Sequence, residues 1–267
     1  ARLDPKVDFG AADGPADLDP DICRQIRASI LLAGPMLARS GGLVLPPPGG
    51  DVIGRRRVET HILALQQLGA SFFYDNSFHF SANGLTGADI LLDEASVTAT
   101  ENAIMAAVRA KGRTILRNAA SEPHIQELCQ MLNQMGAMIN NIGSNTLVID
   151  GVTDLHGTEF TIGPDYLEVI SFLGAAVVTR GELRIKNAGV AHLGMIKLVL
   201  KRLGVDFDIL GEDILVGPDQ RLVIESDLGN AIPEISVMPW PAFPTDLMSI
   251  AIVLATQSTG TILFHDW

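Results

Sequence analysis

Cysteine, aromatic side chains and positive charge are all scarce in this chain of 267 residues. Two cysteines, Cys23 and Cys129, cannot build a disulfide framework, and no CxxC pair is present. A reducing compartment is the natural setting for such a chain. Basic residues number 19 against 31 acidic ones, a net charge of −12. This excludes a general binder of nucleic acid or of membrane surfaces, since either needs a basic field. The apolar stretch Val169–Val178 is far short of the roughly 20 residues that span a bilayer. The start, Ala1-Arg2-Leu3-Asp4-Pro5, has no apolar signal core. These absences predict a soluble, cytoplasmic protein. What is present is core material: 47% hydrophobic residues against 19% charged, with 26 glycines and 14 prolines. Disorder and collagen-like or low-complexity chains are thereby ruled out. A chain that starts on Ala and stops at Trp267 just after a strand-like run reads as a piece of something longer.

The strongest structural signal is a repeat. Three segments read as a helix, then Leu/Met-Gly-Ala/Val, then a strand, a turn and a strand. Their glycines are Gly69, Gly136 and Gly204, 67 and 68 residues apart. A second series, Gly42, Gly112, Gly181 and Gly260, ends Ala-rich helices ahead of strands at spacings of 70, 69 and 79. Each glycine falls where a helix hands over to a strand, and a left-handed cap there favours a residue without Cβ. The two series interleave into a unit of about 68 residues, strand–helix–strand–helix–strand–strand, present about three and a half times.

Amphipathicity assigns the layers. Glu182–Lys186 alternates charged and apolar residues, and Arg113–Arg117 does so less cleanly, so those sheets should be wet on one face. Leu167–Val178 and Met248–Ala255 are apolar nearly all round a helix and should be buried. The predicted class is therefore α/β with helices inside and sheets outside, in units grouped about a local axis with a site between groups. A domain boundary is expected near Gly163, giving domains 1–163 and 164–267.

Where the repeats differ, chemistry is expected. The first glycine-to-glycine connection is longer than its counterparts, and the excess lies in residues 45–57, with three prolines, three glycines and Arg55-Arg56-Arg57. Three arginines together in an acidic chain form a local anion trap, because the planar guanidinium offers carboxylate or phosphate two parallel bonds. A helix starting near Val58 adds its N-terminal amides. A solvated basic loop is the plain alternative. The loop does not fit a P-loop, because no Lys-Ser/Thr follows its glycines. Gly-rich hinges would let it close as a lid. Asp51 in this loop would need burial or a nearby phosphate to act as an acid. In Phe243-Pro244-Thr245-Asp246, either Thr245 or Asp246 could be an N-cap, or Asp246 could project into a cleft as a base. Ser96 is most simply an N-cap, in a geometry that also binds phosphate. Arg27, on an otherwise apolar helix, wants a partner anion. His61 and His124 show no metal spacing, so neither a metal nor a redox cofactor is expected.

These residues give the chain a family resemblance. Arg27-Ala28-Ser29-Ile30 with Gly34-Pro35 and Ala38-Arg39, Gly49-Gly50-Asp51-Val52-Ile53-Gly54, Ser96–Thr100, Asn118-Ala119-Ala120 with Glu122-Pro123, and Phe243–Asp246 together resemble the UDP-N-acetylglucosamine 1-carboxyvinyltransferase family of enolpyruvyl transferases, over nearly all of residues 18–267. The resemblance implies an inside-out α/β barrel of βαβαββ units in two domains. The first unit would be missing from 1–163, and only about one and a half units would lie in 164–267. It implies transfer of the enolpyruvyl group of phosphoenolpyruvate to a sugar 3-hydroxyl with release of phosphate, in peptidoglycan precursor synthesis. No cofactor, nucleic acid or membrane is implied as a partner. By this resemblance Asp246 is the base, Asp51 the acid, and Arg56 meets the enolpyruvyl phosphate. Arg27, Arg56, Arg57, Val58, Glu59, Thr60, His61, Glu94, Ala95, Ser96 and Val97 line the nucleotide-sugar site, with Glu122, Asp165 and Asp246 as further carboxylates.

The chain also departs from the family. Asp51 stands where the family usually has cysteine, Arg57 where it has proline, Met248 where it has glutamine, and His124 where it has an acidic residue. The family's early Lys-Asn pair and its late arginines are absent, so residues 1–267 alone are expected to be a poor catalyst. The competing readings are the sister transferase acting on shikimate 3-phosphate, a non-catalytic nucleotide-sugar binder, and an RNA-end-processing enzyme of similar units. The GG-x-x-I-G loop and the FPTD segment favour the nucleotide sugar. A carboxylate is a poor nucleophile toward an epoxide, so the protein is expected to resist fosfomycin. Mass spectrometry after incubation with the antibiotic should show no adduct on Asp51.

Overall fold

The computed structural model describes residues 16–50 and 57–266. Its backbone divides into two compact units, Ala1–Thr161 and Ile162–Trp267. In the first unit, β1 (Ala16–Asp17), α1 (Pro20–Cys23), a 3-10 turn (Arg27–Leu32), α2 (Ala33–Ser40), β2 (Gly42–Leu45), α3 (Glu59–Gln67), β3 (Ser71–Tyr74) and β4 (Phe78–Ser81) form one repeat. β5 (Asp89–Leu91), α4 (Val97–Ala107), β6 (Arg113–Arg117), α5 (Pro123–Gln134), β7 (Met138–Asn140) and β8 (Thr146–Asp150) form the next. The two sheets share one order, β1-β2-β4-β3 and β5-β6-β8-β7. In each, a parallel pair joined through a helix is extended by two antiparallel strands. The βαβαββ unit expected from the glycine spacing is therefore present.

The second unit continues the pattern with α6 (Tyr166–Val178), β9 (Leu183–Ile185), α7 (Gly194–Arg202), β10 (Asp208–Leu210) and β11 (Asp213–Val216). β12 (Glu234–Ser236), α8 (Met248–Ala255) and β13 (Leu263–His265) follow. Its sheets are β10-β11-β9 and the parallel pair β12-β13.

The glycines close helices as expected at Gly69, Gly136 and Gly204, whose φ values are +98°, +100° and +74°. After each, the next amide bonds back to the carbonyl five residues earlier, as Ala137 does to Leu132 at 2.9 Å. Two members of the other series differ. Gly41, not Gly42, caps α2, with its amide on Leu37 at 3.0 Å. At the end of α6, Arg180 takes the left-handed position (φ +54°) and the Gly181 amide makes the closing bond to Ala176, each one residue earlier than expected.

The layers follow the side-chain patterns. On β6, Thr114 and Leu116 point inward, while Arg113 and Arg117 point out and pair with Asp150 and Asp89 at 2.7 Å each. Arg184 on β9 pairs likewise with Asp213. These exposed pairs contribute about 0–1 kcal/mol each. The apolar faces carry the stability. α4 is enclosed, with Ala99, Ala103, Ile104, Ala106 and Ala107 all buried. It packs against α2, α3, α5 and the Arg27–Leu32 turn. In the second unit, α6 and α8 pack on each other, but the burial expected all round them is incomplete. Phe172 is 61% exposed, and Ile252 and Val253 are exposed as well. Within that unit, α6 and α8 have too few helical neighbours to cover every face.

Close approach of α2 to α4 depends on Gly34. A Cβ there would stand 2.4 Å from the Asn102 carbonyl oxygen, on a rigid helix backbone. Gly34→Ala is therefore expected to destabilise the protein by about 1–3 kcal/mol, the usual cost of overpacking. Urea denaturation measures this, and an unchanged midpoint would contradict the packing described.

Candidate active site

The start of α4 gathers most of the expected residues of the first unit. Ser96 caps the helix, its Oγ accepting from the Ala99 amide at 3.4 Å. Val97 is the first helical residue and packs on the core. Glu94 and Ala95 lead into the cap. Across from them, Arg57 donates to Asp93 at 2.7 Å and lies within 3.8 Å of Glu59 and 3.7 Å of Glu94. The Thr60 hydroxyl donates to the other Asp93 oxygen at 2.7 Å. The Thr60 hydrogen bond first, and the Arg57 bond second, hold the Asp93 carboxyl below its ordinary range. Arg27 reaches the same place, donating to the Arg57 carbonyl at 2.8 Å. Positive and negative groups are thus interleaved, as an acidic chain must arrange them if its few arginines are to stay in place.

The anion site expected at the start of the following helix is partly occupied from within. Val58 is the N-cap of α3, and its amide donates to Glu59 Oε2 at 2.9 Å. His61 lies behind it, 1% exposed. Its Nδ1 accepts from Asn102 Nδ2 at 2.8 Å, and its Nε2 lies 3.2 Å from Thr98 Oγ1. Asn102 also donates to the Ile30 carbonyl and accepts from the Gly34 amide, both at 2.8 Å. An amide donor at Nδ1 makes the imidazole neutral with its proton on Nε2. Burial first, and the Arg27 charge second, lower its pKa to about 4.

The remaining expected residues lie elsewhere. Glu122 is the N-cap of α5 but makes no side-chain cap bond. In the second unit Asp165 caps α6, accepting from the Leu167 amide at 2.8 Å. Asp246 lies exposed in the 3-10 turn Thr245–Leu247 that leads into α8. Neither Thr245 nor Asp246 caps that helix, because the turn shifts its start to Met248. α6 packs on both this turn and α8, so the second unit keeps its two expected carboxylates at the starts of neighbouring helices. Asp51 and Arg56 lie outside the described residues.

Asp93 and Asn102 were missed by the sequence reading. Asp93 was recoverable as half of the acidic pair Asp93-Glu94, which Arg57 meets in the fold. Asn102 lies four residues after Thr98, on the same helical face. Among the described residues no group of three or more His, Cys, Asp or Glu side chains is arranged to hold a metal ion. No described helix is long and apolar enough to cross a membrane. A cavity of about 330 Å³ lined by Ser236, Val237, Met238, Pro239 and His265 contains none of the expected residues.

Caps, repeats and site together fit the enolpyruvyl transferase class, and comparison with known proteins defines the family. The family model described as EPSP synthase (3-phosphoshikimate 1-carboxyvinyltransferase) matches residues 11–263, so the chain belongs to that family. Within it, the chain is 56% identical over 246 residues to a UDP-N-acetylglucosamine 1-carboxyvinyltransferase of Treponema denticola, covering 92% of this chain and 58% of that protein. It is 55% identical over 251 residues to a protein of the same name from Bradyrhizobium diazoefficiens, covering 94% of this chain and 58% of the relative. The chain therefore spans somewhat over half the length of these curated relatives. The fold matches the enolpyruvyl transferase NikO of Streptomyces tendae with a TM-score of 0.74 at 23% identity, covering 94% of this chain and 59% of that one. EPSP synthase of Acinetobacter baumannii matches with a TM-score of 0.56 at 18% identity, covering 89% and 55%. The inside-out α/β architecture is that of this family.

The neutral His61 predicts a pH dependence. Its folded pKa of about 4 lies below the ordinary 6.5, so its contribution to stability is fully present above pH 6.5. That contribution is lost as pH falls through 4, by about 3 kcal/mol across the window. Glu101 acts oppositely, because its pKa is raised to about 7 from 4.5. The comparison with His61→Gln isolates the histidine. Denaturation curves from pH 4 to 7 should show the variant losing less stability than the parent on acidification. A pH-independent difference between the two proteins would exclude a neutral buried imidazole.

Proposed function

We propose that the protein transfers the enolpyruvyl group of phosphoenolpyruvate to the 3-hydroxyl of UDP-N-acetylglucosamine, in the cytoplasm, as a step in making peptidoglycan precursors. The observation that carries this reading is the 48–56% identity to relatives of that name across more than nine-tenths of the chain. The cluster at the start of α4 supports it: the capped helix, Arg27 and Arg57 offer donors that suit the phosphates and sugar hydroxyls of a nucleotide sugar, and Thr60 holds Asp93 beside them.

In the proposed chemistry, Asp246 removes the proton of the sugar hydroxyl as its oxygen bonds to C2 of phosphoenolpyruvate. Asp51 delivers a proton to the C3 methylene, giving a tetrahedral adduct. Loss of a methyl proton then expels phosphate and restores the double bond. Arg56 meets the phosphate of the enolpyruvyl donor. Arg27, Arg57, Val58, Glu59, Thr60, Glu94, Ala95, Ser96 and Val97 line the nucleotide-sugar site, with Glu122 and Asp165 as further carboxylates facing ligand. His61, enclosed behind Thr60, acts by fixing α3 to α4.

Phosphate release from phosphoenolpyruvate and UDP-N-acetylglucosamine by the intact protein tests the assignment. Asp246→Asn should lower that rate by about 10²–10⁴-fold, the usual contribution of a general base. Retained binding of the nucleotide sugar without phosphate release in the parent protein would instead indicate a non-catalytic binder. Release with shikimate 3-phosphate alone would indicate the sister activity.

A further inference from the structure

Asp93 stands on a firmly held piece of backbone. It follows Leu92, which is buried beyond the end of β5. The Leu92 amide donates to the Arg117 carbonyl at 3.1 Å, and Asn118 Nδ2 donates to the Leu92 carbonyl at 3.0 Å. Three residues after Asp93, Ser96 caps α4. A carboxylate between two such fixed points has little play of its own, so the groups bonded to it take their positions from it.

Its two oxygens go to different partners at the entry to α3. Oδ2 accepts from Arg57 Nη2 and Oδ1 from the Thr60 hydroxyl, each at 2.7 Å. Arg57 lies two residues before that helix, and Thr60 lies in its first turn and is buried. The buried threonine therefore locks the carboxylate, and the longer, half-exposed arginine follows it. Two further carboxylates flank the same guanidinium beyond hydrogen-bond distance, Glu59 at 3.8 Å from Nε and Glu94 at 3.7 Å from Nη1. The Val58 amide draws Glu59 Oε2 to itself at 2.9 Å, and Arg27 fixes the Arg57 carbonyl at 2.8 Å. An arginine with acidic neighbours on several sides and no fixed bond would close on one of them in the two-bond mode a guanidinium favours. Bonded once to Asp93, it keeps donors on Nε and Nη1 for another anion.

We propose that Asp93 is a positioning residue for the nucleotide sugar: it holds Arg57 through Nη2 and keeps it from closing on Glu59 or Glu94, so that Nε and Nη1 meet a phosphate of the ligand. The proposal rests on the reading of Arg57 as lining the nucleotide-sugar site. It requires that loss of Asp93 weaken binding even though a negative charge leaves the site, because Glu59 and Glu94 remain to capture the released arginine.

Calorimetric titration of the intact protein with UDP-N-acetylglucosamine, run as a double-mutant cycle, tests this. Arg57→Ala and Asp93→Ala should each raise Kd about tenfold, and the double variant should bind within about twofold of Arg57→Ala alone. Asp93→Asn, of the same shape but uncharged and with one oxygen fewer, should raise Kd about threefold, and it carries the cycle if the alanine variant does not fold. Losses that multiply in the double variant, to about a hundredfold, mean that Asp93 acts on the fold and not through Arg57, and overturn the proposal. Binding unchanged or tightened by Asp93→Ala, as removal of a merely repelling charge would give, overturns it as well. An Arg57→Ala Kd within about twofold of the parent overturns the reading of Arg57 itself, which the two preceding outcomes leave standing.

Discussion

Asn102 carries three hydrogen bonds at full burial, and the arrangement of the first unit depends on them. A helix enclosed on every side, as α4 is, has no water to satisfy a polar side chain, so an amide in its middle must find protein partners or destabilise the fold. Asn102 finds them on the Arg27–Leu32 turn, on α2 and on α3. One side chain thereby sets the distances among three neighbours of α4, with Gly34 permitting the approach. The same contact fixes the His61 tautomer and so directs its Nε2 to Thr98, two residues after the Ser96 cap. Packing and site geometry share a single origin here.

The electrostatics show how an acidic protein holds its few arginines in place. Arg57 stands among Asp93, Glu94 and Glu59, and Arg27 is turned onto the backbone of Arg57. Exposed pairs of this kind contribute little stability. Their effect is positional: the carboxylates orient guanidinium groups that would otherwise repel one another. Charge pairs elsewhere, on the outer faces of the sheets, join neighbouring strands and leave the interior to apolar packing. Cys129 fits this division, since burial pushes its thiol up to about 12 and leaves it a small core residue rather than a nucleophile.

The repeat was legible because its cause is local. A helix that must turn sharply into a strand takes a left-handed residue at its end, and glycine adopts that conformation at little steric cost. Spacing alone therefore revealed the βαβαββ unit at Gly69, Gly136 and Gly204. The shifts at Gly41 and Arg180 arose because Gly42 and Gly181 each follow the left-handed residue by one position, which spacing does not distinguish. The helix starts behaved similarly: Ser96 caps as its residue type suggests, whereas the turn at Thr245–Leu247 displaced the start of α8 in a way no single residue announces.

The sequence by itself determined the repeated unit, the wet and dry faces of its strands, the concentration of arginine near residue 57 and the resemblance that ties these to enolpyruvyl transfer. All of these follow from interactions within a few residues or from a pattern summed along the chain. Tertiary structure alone decided that Asp93 receives both Arg57 and Thr60, that His61 is enclosed and neutral, and that α6 and α8 keep exposed apolar faces. Each of those depends on groups between 33 and 41 residues apart, or on the helices packed around them. Contact and burial over such separations are set by how helices pack, and a linear sequence does not encode them one residue at a time.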